Sequence, residues 1–172
     1  MIQFRKILEW LNDHQVDFII IGGVAASLHG SAHVTFDLDI CYSRTPDNLK
    51  NLAAALISIT ATLRGAPANL PFKADAQTLQ RGLNFTFETD LGNLDLLGEV
   101  AGAGTYKQLI QDADAGQIGN RTYHIISLPK LIDAKRVAGR TKDLLVLPEL
   151  EAILETQQSA TKRNQQSSDE SE

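Results

Sequence analysis

The sequence predicts a small α/β domain in which helices flank a mixed β-sheet. The length of 172 residues suits one domain, and a hydrophobic fraction of 43% is ordinary for a globular protein. Helix-type and strand-type patterns alternate along the chain. One pair of strand-type segments is separated by a short turn, so part of the sheet is expected to be antiparallel.

The first part of the chain is predicted to alternate between helix and strand. Apolar residues at helical spacing indicate a helix over 2–12. Residues 17–21 (DFIII) form a β-branched and aromatic run that ends at two glycines, which indicates a buried strand. A short helix is expected over 24–29, ended by Gly30 because glycine readily adopts a positive φ. A second strand is expected over 35–42.

The middle of the chain is predicted to contain a capped helix, a loop and a hairpin. Thr45-Pro46 suits the start of a helix that continues to about Leu63. Glycine and proline residues indicate a loop over 64–76. Residues 83–89 alternate between apolar and polar side chains, and a turn separates them from a returning strand over 94–97. This pattern predicts a β-hairpin.

The last part of the chain is predicted to be mainly helical. The pattern indicates a glycine-rich loop over 98–105, one or two helical turns over 106–112 and a strand over 122–126. Two helices are expected to follow, over 128–138 and 141–155. Pro148 is expected to divide the second helix or to mark the first turn of its last part. Residues 157–172 contain almost no apolar side chains, so we expect a disordered polar tail after a domain over 1–156.

Charge and composition restrict the classes of partner and compartment. The formal net charge of −5 argues against a generally basic nucleic-acid surface, and we expect no DNA partner. Cys41 is the only cysteine, which excludes an internal disulfide and a cysteine-based zinc site and fits a reducing cytoplasm. No signal-peptide core and no apolar run of membrane-spanning length is present. We therefore expect a cytoplasmic protein without membrane contact.

Asp37 and Asp39 form the first candidate site. On a strand, side chains at positions i and i+2 point to the same face, so these carboxylates are expected to lie together while Leu38 and Ile40 face the core. Two adjacent carboxylates repel each other, and a divalent cation relieves that repulsion. Hard oxygen ligands suit Mg²⁺ or Mn²⁺. The alternative is that one aspartate is exposed at a strand end and the other caps a turn.

Gly22 and Gly23 form the second candidate site, because they end a strand and open a helix. Glycines at such a position allow the backbone to approach a phosphate closely. Ser27 either donates to the phosphate or caps its own helix. The run is neither GxGxxG nor a P-loop, since Ala25 and Ala26 follow and no Gly-Lys-Ser/Thr is present. The alternative is a plain strand-to-helix turn.

A glycine pair after a strand, followed by Asp-x-Asp between apolar residues, resembles the signature of the nucleotidyltransferase superfamily of the DNA polymerase β type. The resemblance implies the nucleotidyltransferase fold, and a third carboxylate on a later strand that faces the first two. Asp95, in the second arm of the predicted hairpin, lies where that residue is expected. The resemblance thus implies that Asp37, Asp39 and Asp95 are both the catalytic residues and the metal ligands.

Within the superfamily, the chain is similar to small prokaryotic nucleotidyltransferases, including those of toxin–antitoxin pairs. Those proteins often contain Gly-Gly, then His-Gly, then Arg-x-Thr-x-Asp-x-Asp. The corresponding residues here include His29-Gly30, and Thr35 precedes the aspartates, but His33 replaces the usual arginine. A histidine is shorter and only partly charged near neutrality, so His33 either binds phosphate more weakly or is a surface loop residue. We expect His29 to be a packing or capping residue.

The resemblance also implies a set of residues that bind the nucleotide. Basic residues of the closing helices point toward the triphosphate in this group, and Lys135, Arg140 and Lys142 are the candidates here, with Lys135 favoured. The alternative for each is a solvent-exposed helix charge. The implied nucleotide-binding residues are Gly22, Gly23, Ser27, His33, Thr35, Lys135 and Lys142.

The implied activity is Mg²⁺-dependent transfer of a nucleoside monophosphate from a nucleoside triphosphate to an acceptor hydroxyl. The acceptor is a protein side chain, a tRNA end or a small molecule, and the motifs do not distinguish these. One alternative keeps the fold with weak or lost activity, as a nucleotide-binding protein or a toxin–antitoxin partner. Another is a metal-dependent phosphodiesterase or nuclease, in which His124 joins the carboxylates if its strand neighbours that of Asp95.

Overall fold

A mixed β-sheet of seven strands forms the framework of the computed structural model, which describes residues 3–67 and 72–169. The helices of this part of the chain are α1 (Phe4–Asp13), α2 (Gly22–Leu28), α3 (Pro46–Ser58), α4 (Ala76–Arg81), α5 (Tyr106–Leu109), α6 (Leu128–Ala138) and α7 (Thr141–Asp169). The strands of the sheet are β1 (Phe18–Ile21), β2 (Asp37–Tyr42), β3 (Thr62–Leu63), β4 (Asn84–Thr89), β5 (Gly92–Leu97), β8 (Asp114–Ile118) and β9 (Arg121–Ile125). A separate two-stranded ribbon consists of β6 (Glu99–Val100) and β7 (Gly104–Thr105).

The strand order places β2 and β5, which carry the aspartates, side by side near the middle of the sheet. The order is β3-β4-β5-β2-β1-β9-β8. Strand β2 pairs with β1 in the antiparallel sense and with β5 in the parallel sense, and β4 and β5 form the predicted hairpin. The predicted α/β class with a mixed sheet is therefore confirmed.

The alternation predicted for β2 is confirmed by the burial of its side chains. Leu38 and Ile40 are fully buried, whereas Asp37 and Asp39 are half-buried. The fully buried Ile19 and Ile20 of β1 belong to the same hydrophobic core. On β2, one face therefore packs on the core and the other presents the aspartates, whereas β1 is buried on both faces.

The structure differs from the prediction at the end of α3 and in β3, β8 and α4, because a backbone reversal, tertiary pairing or a local cap determines them. Helix α3 ends at Ser58 rather than near Leu63, since Thr60 adopts a φ of +52° and reverses the chain. Strand β3 then pairs with β4, and β8 pairs with β9 although Gly116 lies within it. Helix α4 begins inside the predicted 64–76 loop, where Asp75 accepts a hydrogen bond from the Thr78 N–H. Of that loop, residues 68–71 lie outside the described residues.

Helix α7 is longer and more continuous than predicted. It runs from Thr141 to Asp169 with Pro148 inside it, so the prediction that Pro148 divides this segment is wrong. Proline lacks one backbone N–H, and a single missing hydrogen bond near the start of a long helix is tolerated here. The helix includes 157–169, predicted as a disordered tail, because extending an existing helix needs no new nucleation. Residues 170–172 lie outside the described residues.

Within residues 3–67 and 72–169, none of the helices combines the length and the apolar character that a membrane span requires.

Candidate active site

Three carboxylates from two neighbouring strands meet on the polar face of the sheet. Asp37 and Asp39 lie on β2, and Asp95 lies on β5 directly opposite Asp39 in the parallel ladder. One side-chain oxygen from each of the three residues lies within 4.8 Å of the others. The structure therefore brings together the pair predicted from strand periodicity and the third carboxylate implied by the family resemblance.

The electrostatics of this cluster favour a bound cation. Burial, followed by the charges of Asp37 and Asp95, raises the pKa of Asp39 to about 7. Burial also raises the pKa of Asp95, although its contact with Arg64 opposes that shift. Three hard oxygen donors at this spacing, held close despite their mutual repulsion, fit a divalent ion such as Mg²⁺ or Mn²⁺.

Gly22 leaves the space that the Asp39 carboxylate fills. Gly22 has a φ of +65°, and a Cβ built on it would overlap the Asp39 Oδ2 atom. The Gly23 N–H donates a hydrogen bond to Asp39, and a Cβ on Gly23 would lie 2.5 Å from Thr35. The glycine pair therefore positions the β2 carboxylate and allows the loop before β2 to approach.

We expect Gly22→Ala to weaken metal binding at least tenfold and to destabilise the protein by about 1–3 kcal/mol, because the new methyl group displaces Asp39. Gly65→Ala is the matched control, since Gly65 has a φ of +75° with nothing within 4 Å of the added Cβ. The control shares the backbone strain but not the overlap. Calorimetric Mn²⁺ titration and thermal unfolding measure the two effects. Equal Mn²⁺ affinities for the two variants would contradict the positioning role.

The loop before β2 carries two further predicted residues into the cleft. Thr35 Oγ1 donates to Asp37 Oδ1 over 2.9 Å, and Thr35 and His33 both line the cleft. Ser27 is exposed and does not line the cleft; its hydroxyl donates to the backbone oxygens of Gly23 (3.2 Å) and His33 (3.4 Å). His29 packs inside, with Nε2 2.8 Å from the Ile126 oxygen.

A glutamate on α7 holds the same loop from behind. Glu149 accepts hydrogen bonds from the Ser31 hydroxyl (2.6 Å) and the Ala32 N–H (2.8 Å). These two hydrogen bonds lower the pKa of Glu149. Glu149 thereby ties the loop that carries His33 and Thr35 to the C-terminal helix. The sequence contains no local signal for this contact, because 117 positions separate Ala32 from Glu149.

The predicted cations of the closing helices all line the cleft, but they differ in their partners. Asp143 accepts a hydrogen bond from Arg140 Nε at 2.6 Å and one from Lys135 Nζ at 3.2 Å. Lys142 forms no such pair among the described residues. Burial raises the pKa values of Asp39 and Asp95, and the charge of Lys142 partly offsets that rise. Lys142, rather than the favoured Lys135, is therefore the cation whose field reaches the carboxylates without a carboxylate partner of its own.

Arg64 also contacts the site, although no motif in the sequence predicts it. Its Nη2 atom donates to Asp95 Oδ1 at 2.7 Å and to Asp95 Oδ2 at 2.9 Å. It lies directly after β3, a strand of two residues that the sequence does not predict. Only the pairing of β3 with β4 brings this arginine to the sheet, so the local sequence carries no signal for it.

One cleft of about 350 Å³, a volume within the range of ligand pockets, is lined by Asp37, Asp39, the glycine pair and the closing-helix cations. Asp95 adjoins this lining through its proximity to the other two carboxylates. Apolar side chains line the same cleft, among them Leu97, Val100, Ala101, Ile126, Leu131, Ala134 and Ala138. The cleft thus offers both charged and apolar contacts to one ligand.

His124 lies away from this cleft. It is exposed on β9, and β2 and β1 separate β9 from the strand of Asp95. The phosphodiesterase or nuclease alternative requires these two strands to be direct neighbours if His124 is to join the carboxylates. They are not neighbours, so His124 does not join them.

Comparison with solved structures identifies the fold. A nucleotidyltransferase candidate from Thermotoga maritima gives a TM-score of 0.55 at 14% identity, over 87% of this chain and 94% of that chain. The lincosamide antibiotic adenylyltransferase LnuA, with lincomycin bound, gives 0.57 at 15% identity, over 87% and 95%. ANT(2'')-Ia, in complex with adenylyl-2''-tobramycin, gives 0.51 at 16% identity, over 92% and 96%. No protein-family model and no curated protein sequence matches the chain.

These similarities extend over most of this chain and nearly the whole of each compared chain. The chain has the nucleotidyltransferase fold, as its motifs predict.

Proposed function

We propose that the protein is a nucleotidyltransferase that moves a nucleoside monophosphate from a nucleoside triphosphate to an acceptor hydroxyl. The observation that carries this proposal is the convergence of Asp37, Asp39 and Asp95, of which Asp37 and Asp39 line a cleft that also contains cations. The fold shared with two antibiotic adenylyltransferases supports the same reaction class. The phosphodiesterase hypothesis has no such support from the compared structures.

The three carboxylates would hold Mg²⁺ or Mn²⁺. When bound, a divalent ion would polarise the phosphates and lower the pKa of the acceptor hydroxyl. Asp95 accepts the hydroxyl proton as general base. The acceptor oxygen attacks the α-phosphorus, the bond from that phosphorus to the oxygen bridging to the β-phosphate breaks, and pyrophosphate leaves.

The remaining lining residues bind the triphosphate and the nucleoside. Lys142 and Arg140 neutralise phosphate charge, together with Lys135. His33 and Thr35 contact the phosphates from the loop before β2, and Gly22 and Gly23 keep that approach open. The apolar lining residues, among them Leu97 and Leu131, pack against the nucleoside and exclude water. Ser27 acts indirectly, by fixing the loop that carries His33.

A small-molecule hydroxyl is the acceptor class that we favour. LnuA was solved with lincomycin and ANT(2'')-Ia with an adenylylated tobramycin, so two proteins of this fold are associated with small acceptors. A protein side chain or a tRNA end are the other acceptor classes to test. The membership of a toxin–antitoxin pair and the cytoplasmic location stay predictions from the sequence.

The reaction is tested with α-³²P-labelled nucleoside triphosphates, Mg²⁺ or Mn²⁺ and cell extract separated into small-molecule, RNA and protein fractions. We expect label in one fraction with the wild-type protein and at least a thousandfold less with Asp37→Ala/Asp39→Ala. Equal labelling by both proteins in every fraction would refute the transferase proposal. A shift in thermal unfolding with Mg²⁺ and nucleotide but no transfer to any fraction would favour the nucleotide-binding partner alternative.

A further inference from the structure

Arg64 lies at the end of a row of polar residues that crosses the sheet. Its backbone N–H donates to the Thr86 oxygen at 2.9 Å. Thr86 pairs with Asp95 across β4 and β5, and Asp95 pairs with Asp39 across β5 and β2. Directly paired residues of neighbouring strands share a face, so these side chains follow one another on the polar face. The Arg64 guanidinium reaches Asp95 on this face.

The Arg64 guanidinium occupies both oxygens of the Asp95 carboxylate. A single nitrogen, Nη2, lies 2.7 Å from Oδ1 and 2.9 Å from Oδ2. A donor nearly equidistant from both oxygens takes the position between them, which is also the position of a cation bound by both oxygens. The Asp95 side chain is only 15% exposed, which limits other directions of approach.

The two other carboxylates give a reason for this arrangement. Asp37, Asp39 and Asp95 lie within 4.8 Å of one another, so a protein without a bound cation must hold adjacent negative charges together. Arg64 is the residue whose donor atoms reach the cluster from β3, and its own side chain is 31% exposed, which leaves space toward solvent. An arginine cannot lose its charge at this site, so it can only leave Asp95 by moving.

We propose that Arg64 is the counter-cation of the metal-free site: it holds Asp95 in position, and it is displaced from that carboxylate when the divalent ion binds. This inference rests on the proposed function, because it requires Asp95 to be a metal ligand. Arg64 is a positioning residue in this account, since it acts through Asp95. Only molecules in which Asp95 is not paired with Arg64 can bind the ion fully. The apparent metal affinity is therefore the intrinsic affinity multiplied by the fraction of such molecules.

The test is the Mn²⁺ dissociation constant measured by electron paramagnetic resonance for wild type, Arg64→Gln, Asp95→Asn and the double variant. We expect Arg64→Gln to bind Mn²⁺ about tenfold more tightly than wild type. We expect the double variant to bind Mn²⁺ with the same affinity as Asp95→Asn alone. Without metal, Arg64→Gln should unfold at a lower temperature, and saturating Mn²⁺ should remove that difference. Arg64→Lys, which keeps the charge but not the planar guanidinium, should be intermediate.

Two results would overturn the proposal. Unchanged or weaker Mn²⁺ binding by Arg64→Gln would show that Arg64 does not compete for Asp95. Equal tightening with and without Asp95 would show a general effect of removing a positive charge. Arg121→Gln is the charge-matched control, because Arg121 pairs with Asp13 at 2.8 Å away from the cleft, and we expect no change in its Mn²⁺ affinity.

The same titrations separate this inference from the proposed function. If wild type binds no Mn²⁺, or binds it equally well after Asp95→Asn, the metal site itself is refuted. If Asp95→Asn weakens Mn²⁺ binding while Arg64→Gln has no effect, the metal site stands and only the role of Arg64 is refuted.

Discussion

Asp39→Asn should abolish nucleotidyl transfer and, in the absence of metal, make the protein more stable. We expect the rate to fall about a thousandfold or more, because the amide lacks the charge that binds a divalent ion. The amide is nearly the same size as the carboxyl group and has no negative charge to repel Asp37 and Asp95. A gain in stability accompanied by a loss of activity is expected of a site in which the carboxylates are held together for function.

The stability gain should depend on pH in a defined direction. The pKa of Asp39 is raised from 3.8 to about 7, with burial as the first cause, so the folded protein binds this proton more tightly than the unfolded chain. The free energy of unfolding therefore falls as pH rises from about 4 to about 7, by an amount on the order of 4 kcal/mol. Asp39→Asn removes this loss, so its advantage should be larger at pH 8 than at pH 5.

Thermal unfolding with EDTA at pH 5 and pH 8 measures this effect. Asp90→Asn is the control, because Asp90 is exposed in the turn between β4 and β5 and should show little difference from wild type at either pH. An Asp39→Asn variant that transfers nucleotide within tenfold of wild type would disprove the role of Asp39. A variant less stable than wild type at pH 8 would disprove the mutual repulsion of the carboxylates.

Asp143→Ala should be among the most destabilising single changes in the closing helices. The Asp143 side chain is 3% exposed and accepts hydrogen bonds from Arg140 and Lys135, the latter only 11% exposed. Removing a buried partner leaves a cation without compensation, which costs about 3–5 kcal/mol. We also expect weaker nucleotide binding, since Lys135 and Arg140 lose the group that orients them toward the cleft.

Denaturant unfolding of Asp143→Ala and Asp133→Ala separates burial from charge. Asp133 pairs with Arg136 on α6, but both side chains are more than half exposed, so its loss should cost less than about 1 kcal/mol. Burial raises the pKa of Asp143, and the hydrogen bonds from Arg140 and Lys135 outweigh burial and lower it. The stabilisation by Asp143 should therefore be present at neutral pH and be lost as pH falls below about 4. Equal costs for the two variants would contradict this account.

The residues that the sequence could predict are those whose position follows from local periodicity or from the motif. Strand periodicity places Asp37 and Asp39 on one face without any tertiary information. The hairpin pattern and the family motif together place Asp95 on the neighbouring strand. Helix α6 and its termination at Gly139, which adopts a φ of +60°, likewise follow from the local pattern.

The residues that the sequence could not predict depend on contacts between distant segments. Arg64 reaches Asp95 only because the two-residue strand β3 pairs with β4, and such a short strand has no detectable periodicity. Glu149 reaches the loop before β2 from a helix more than a hundred positions away. Among the described residues, Lys135 has a carboxylate partner and Lys142 does not, because of the position of Asp143, which helical spacing alone does not determine.

The position of the transferred label distinguishes nucleotidyl transfer from other reactions of a nucleoside triphosphate. The protein is incubated with Mg²⁺, the acceptor-containing fraction and a nucleoside triphosphate labelled with ³²P at either the α- or the γ-phosphorus. A nucleotidyltransferase with Asp37, Asp39 and Asp95 as its metal-binding carboxylates must transfer the α-label to the acceptor and release the γ-label as pyrophosphate. Transfer of the γ-label, or release of labelled nucleoside monophosphate without a labelled acceptor, would contradict the account.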